Sequence, residues 1–125
     1  MTSRQGTGLS FGDVVWANFP EHNPNAHEQQ GTRPAVVVGL PSLLGRLRWE
    51  MVVVLPITSR SGAWSTSRAA YIPLTSEACG LPRTSLALVD QVRVLDRGRV
   101  LEYLGTLPES EYEAIRTSLR RMFAL

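Results

Sequence analysis

The sequence has one cysteine, no lysine and no long apolar run, and each absence removes a class of protein. Cys79 stands alone, so no disulfide can form within the chain. Such a chain suits a reducing compartment, and a cytoplasmic location is expected. No stretch approaches the roughly 18 apolar residues that a membrane span needs. Met1–Ser10 carries one arginine and no apolar core, so it does not read as a signal peptide. No membrane partner is expected. All 13 basic residues are arginine, for a formal net charge of +2. An arginine fork pairs with phosphate and stacks on bases in ways an ammonium group cannot. A high-GC codon bias also replaces lysine by arginine everywhere, so the total says little and the positions say more.

What is present fits one globular domain. A chain of 125 residues can bury roughly two-thirds of its unfolded surface and needs neither disulfide nor metal to fold. Residues 1–10 are rich in Gly, Ser and Thr without periodicity and are expected to be flexible, leaving 11–125 as a single domain. Asp13–Phe19 alternates as a strand, with Val14, Trp16 and Asn18 on one face and Val15, Ala17 and Phe19 on the other. Pro20–Thr32 is polar and reads as a long loop, the kind that carries function. Pro34–Val38 and Met51–Ile57 are β-branched runs without helical period, expected as central strands covered on both sides. Pro41–Glu50 reads as a turn connection and Thr58–Arg68 as a second polar loop. Ala70–Leu74, Ser85–Val89, Gln91–Leu95 and Val100–Thr106 complete the expected sheet.

Pro108 suits a first helical turn. Glu109, Glu111 and Glu113 favour the positive end of that helix, and Arg116, Arg120 and Arg121 its negative end. Tyr112, Ile115, Leu119, Met122 and Phe123 form one stripe at helical spacing, the expected packing face. Short strands closed by one amphipathic helix describe a mainly β (α+β) fold, a small curved antiparallel sheet or barrel.

Four segments carry more information than composition does: GDVVWANF at Gly12–Phe19, EQQGTRPAVVV at Glu28–Val38, LPITSR at Leu55–Arg60 and LALVDQVRVLD at Leu86–Asp96. In this order and spacing they resemble the MazF/PemK family of toxin ribonucleases, from Gly12 to the C-terminal helix. The resemblance implies a compact SH3-like barrel, a homodimer, cleavage of single-stranded RNA at short preferred sequences, and a cognate MazE-like antitoxin covering the RNA groove. It implies no cofactor and no metal. It places the catalytic arginine on Arg33 and the catalytic hydroxyl on Thr58. Glu28, Gln29, Pro34, Ser59, Arg60, Asp90 and Gln91 fall on positions expected to bind RNA.

The chemistry can be argued from the residue types. Metal-free RNA cleavage uses the neighbouring 2′-hydroxyl as nucleophile and gives a 2′,3′-cyclic phosphate and a 5′-hydroxyl. Two N–H groups of Arg33 can stabilise the phosphorane oxygens, and Thr58 can donate one more hydrogen bond. Neither has a pKa suited to proton transfer, since that of arginine lies above about 12; Arg33 is therefore expected to stabilise the transition state, with any proton role secondary. Taken alone, Arg33 is a surface arginine at a strand edge and Thr58 a strand threonine capping a loop. Trp64 reads as a loop anchor before a base-stacking platform. His22 and His27 suggest paired imidazoles or a metal site with Glu28, but the resemblance puts no catalytic histidine there. Cys79 reads as inert. Two other classes stay in view: a non-enzymatic toxin of CcdB type that poisons DNA gyrase from the same kind of barrel, and an inactive SH3-like module that binds RNA or protein without cutting. The first loop, extended by EHNPNAH, and the Ser/Thr-rich second loop depart from the family pattern, so a cleavage sequence cannot be carried over.

Overall fold

The computed structural model describes residues 8–20, 30–75, 77–82 and 85–125. Seven strands are assigned: β1 (Asp13–Phe19), β2 (Gly31–Gly39), β3 (Met51–Thr58), β4 (Tyr71–Leu74), β5 (Ser85–Leu88), β6 (Arg93–Asp96) and β7 (Val100–Thr106). One helix, α1 (Glu109–Phe123), follows them. Every pairing is antiparallel. The order is β4-β5-β3-β2-β1-β7, with β6 also on β3, and the ladder stays open between β4 and β7 among the described residues. Bulges in the β1–β7 and β2–β3 pairings give the sheet its curvature. No described helix is long and apolar enough to cross a membrane.

Alternation along the three central strands feeds two cores. Val14, Val36, Leu55 and Ile57 join Ile72, Leu74 and Ile115 of α1 in one cluster. Val15, Ala17, Phe19, Ala35, Val37, Val52 and Val54 form the other, with Leu9 packed among them. The central strands are thus covered on both faces, which is why their sequences read as continuous valine-rich runs. Leu9 is buried although it lies in the segment expected to be flexible; the first seven residues of that segment lie outside the described residues. Cys79 is buried in the first cluster, and a Cβ on Gly105 would stand 2.7 Å from its Sγ.

β3 changes partner along its length. Met51–Val54 pair with β6, whereas Ile57 and Thr58 pair with β5. Pro56, which has no N–H to donate, sits at the handover, where a missing donor costs least.

The Gly-Asp pair at the start of β1 is a structural corner. Gly12 holds φ +86°, a left-handed value that a glycine adopts without strain. The Asp13 carboxylate is buried and accepts from Ser10 N (2.8 Å) and from Thr106 Oγ1 (2.9 Å), tying the chain entry to β7.

The helix corrects one expectation. Ile115 and Ser118 are its buried residues, and Tyr112 and Leu119 are half-buried, but Met122 and Phe123 are 42% and 55% exposed. A helix of 15 residues runs about 22 Å, while its partner β4, four residues long, runs about 13 Å, so the last turn outreaches the strand. At its other end, Thr75 donates its backbone N–H and its hydroxyl to Glu111 Oε2, fastening α1 to the end of β4.

Candidate active site

Two strand ends meet at the candidate site. The β2–β3 register runs Val37↔Val54, Val36↔Leu55 and Ala35↔Pro56. Carried two residues further, it sets position 33 opposite position 58. Alternation puts Arg33 on the face of Ala35 and Val37, and Thr58 on the face of Val52 and Val54, all members of one cluster. Both line one cavity of about 400 Å³, together with Pro34, Ser59 and Arg60.

The Arg33 guanidinium is held along one edge of its fork. Nε and Nη2 donate to the Gln30 carbonyl at 3.0 and 2.7 Å, which fixes its plane. Burial lowers its pKa below the usual arginine value, and the positive charge of Arg60 lowers it further. Both causes disfavour the cationic form, and a phosphate placed between the two arginines relieves both. Thr58 is buried at 7% exposure, and its Oγ1 accepts from the Arg60 N–H at 3.2 Å. That local turn brings Arg60 back to the cavity.

Thr58 and Arg60 also line a second cavity of about 430 Å³, with Trp64, Tyr71, Asp90 and Gln91. The Tyr71 hydroxyl donates to Asp90 Oδ2 at 2.7 Å. That bond, then burial and the carboxylate charge, raise the pKa of the phenol. Trp64 meets Tyr71 edge-on, ring centres 5.0 Å apart at 87°, so it anchors its loop while remaining 47% exposed. Hydroxyls fold the Ser/Thr-rich loop on itself. Ser65 Oγ accepts from Gly62 N and donates to Gly62 O, and Thr66 Oγ1 donates to Ala63 O. These bonds close a short 3-10 turn at Ala63–Thr66 inside the expected loop.

Arg33, Pro34, Thr58, Ser59, Arg60, Asp90 and Gln91 therefore surround two cavities that share Thr58 and Arg60. Glu28 and Gln29, also expected at the RNA, lie outside the described residues, as do His22 and His27. Eight further residues line the first cavity without having been expected at the site, among them Trp16, Thr32, Leu81, Ser85 and Leu104. Only Trp16 carried a signal, as a large apolar residue on an otherwise regular strand that proves 38% exposed.

Comparison with known proteins adds to this geometry. A family model described as PemK-like, MazF-like toxin of type II toxin-antitoxin system matches residues 10–123. Over 85 residues the chain is 33% identical to Endoribonuclease PemK of Escherichia coli, which covers 67% of this chain and 60% of that protein. The chain thus spans less than two-thirds of that curated relative. The crystal structure of MazF from Deinococcus radiodurans is similar over 94% of this chain and 97% of that one, with a TM-score of 0.71 and 26% identity. A MazE–MazF crystal structure from the same organism is similar over 94% and 96%, with a TM-score of 0.67 and 27% identity. A match that runs from three residues before β1 to the last residue of α1 spans every described strand and the helix, and the chain belongs to the PemK-like, MazF-like toxins of type II toxin–antitoxin systems.

Proposed function

We propose that the chain is an endoribonuclease toxin that cuts single-stranded RNA through the neighbouring 2′-hydroxyl, using no metal or cofactor. The observation that carries the reading is the cavity shared by Arg33, Thr58 and Arg60. In the reaction the 2′-oxygen loses its proton and bonds to phosphorus. The bond from phosphorus to the 5′-oxygen then breaks, and that oxygen takes up a proton. The products are a 2′,3′-cyclic phosphate and a 5′-hydroxyl. Arg33, half-buried and fixed in plane, presents its cation to the phosphorane oxygens, where charge develops and where partial burial strengthens the interaction. Thr58 Oγ1 accepts from the Arg60 N–H, which leaves its own hydroxyl hydrogen available to donate to the substrate phosphate. A lowered Arg33 pKa moves it toward a proton-transfer role, but electrostatic stabilisation remains its principal task.

Asp90, Gln91, Ser59 and Arg60 extend the RNA path from the first cavity into the second, and for Glu28 and Gln29 the RNA-binding role rests on the family resemblance alone. The expected partners are a second copy of the chain and an acidic, partly disordered antitoxin segment that folds over the basic groove. The similar MazF of Deinococcus radiodurans has been solved with MazE, which supports that partner. The working compartment is the cytoplasm.

Incubation with single-stranded RNA in EDTA tests the reading. Cleavage should persist, and a 2′-deoxy substitution at the cut should abolish it. Intact RNA together with stalled gyrase would establish the non-enzymatic toxin instead.

A further inference from the structure

Ser85 is the unusual group in the cavity. It lies in β5 at 1% exposure, and its Oγ has no hydrogen-bond partner among the described residues. Its backbone N–H is already satisfied by Pro82 O at 3.1 Å. Buried hydroxyls almost always find a partner, so an unanswered one on a residue that lines a cavity calls for an explanation.

The register shows what surrounds it. Trp16 pairs with Pro34 across β1 and β2, and Ile57 pairs with Ala87 across β3 and β5. Ser85 is two residues from Ala87 and shares its face, opposite Leu74 of the first core cluster. Arg33 and Thr58 face the other way. The cavity therefore wraps around the strand ends, with cations and the Thr58 hydroxyl on one side and Trp16, Pro34, Leu81, Pro82 and Leu104 on the other. Among the described residues this second side is mainly apolar, and Thr32 and Ser85 are its hydroxyl-bearing side chains. Among the described residues a phosphate would find no cation on that side, whereas a nucleobase has a stacking face for the indole and a polar edge for a hydrogen bond.

We infer that this recess is a nucleobase subsite beside the scissile phosphate, and that the Ser85 hydroxyl is its hydrogen-bonding, specificity-determining contact. The inference rests on the ribonuclease reading and adds to it where one base of the recognised sequence sits. The missing partner of Ser85 is then supplied by the edge of the bound base.

The test compares wild type and Ser85→Ala in thermal unfolding and in cleavage of oligonucleotides varied at each position flanking the cut. The expected result has two parts. Unfolding should be unchanged or slightly later, because the variant removes a hydroxyl with no partner. KM for the preferred base at one position should rise roughly 3- to 10-fold, the worth of a single neutral hydrogen bond. An abasic residue at that position should make the two proteins equal. A variant that loses stability and cleaves every substrate less well in proportion would make the hydroxyl structural and overturn the inference. An unaltered base preference would also overturn it, as would a loss confined to antitoxin binding. In these cases wild-type cleavage shows that the ribonuclease reading itself still stands; RNA left intact by wild type would end both.

Discussion

The Gly12–Asp13 corner and the Arg33–Thr58 groove are built from equally distinctive sequence, yet their polar groups have opposite fates. At the corner, both oxygens of a buried carboxylate are answered by the protein, through Ser10 N and Thr106 Oγ1. At the groove, burial and then the nearby Arg60 charge disfavour the Arg33 cation, and a buried serine hydroxyl has no partner among the described residues. A folded chain gains by satisfying its own groups, so a cluster that stays electrostatically incomplete is built for something that arrives from outside. On the proposed reading, one motif specifies the fold and the other the chemistry.

The largest effect should separate the two regions cleanly. Arg33→Lys keeps the charge but loses the fork, and cleavage should fall about 10²–10³-fold with little change in unfolding; full activity in single-turnover assays would reassign Arg33. Thr58→Val, nearly isosteric, should cost about 10²-fold in kcat for want of one donor to the phosphate, read on the same RNA. Asp13→Ala should behave in the opposite sense. Losing the two charge-assisted hydrogen bonds from Ser10 N–H and the Thr106 hydroxyl should cost about 1–3 kcal/mol in urea unfolding, while the folded fraction keeps its kcat. A kcat loss without destabilisation would blur the distinction. The smallest effect is expected for Arg60→Gln. With the like charge gone, the Arg33 pKa moves back up toward its usual value, and the melting temperature should hold or rise slightly. RNA binding should become less salt-dependent, its log–log slope shallower by about 0.7, one phosphate contact on a single strand.

How much of this could be read beforehand depended on how local the cause was. β1 and β7 have the bounds that alternation predicts, Asp13–Phe19 and Val100–Thr106. β2 begins earlier than its valines suggest, at Gly31, because Thr32 and Gly31 pair with Asn18 and Phe19 and the partner strand overrides their polar character. The expected strand Ser85–Val89 stops at Leu88, where Val89–Gln91 turns into a 3-10 segment carrying Asp90 and Gln91 to the second cavity. The sheet resumes at Arg93 rather than Gln91. The juxtaposition of Arg33 and Thr58 depends on the β2–β3 register, which the chain encodes only across a long connection. It was legible through the family resemblance. Ser85 had no such route: an unanswered hydroxyl leaves no periodicity, and a serine opening a hydrophobic strand looks like any strand boundary. Met122 and Phe123 followed the helical stripe in sequence, but the helix outruns β4.

The handover in β3 has a mechanical consequence. Beyond Pro56, the free side of Thr58 leans on β5, β5 leans on β4, and the residue after β4, Thr75, is the one that Glu111 of α1 grips. The C-terminal helix therefore works as the far-end clamp of a cantilever whose tip is the Thr58 hydroxyl, so loosening that grip should slacken the groove from three strands away.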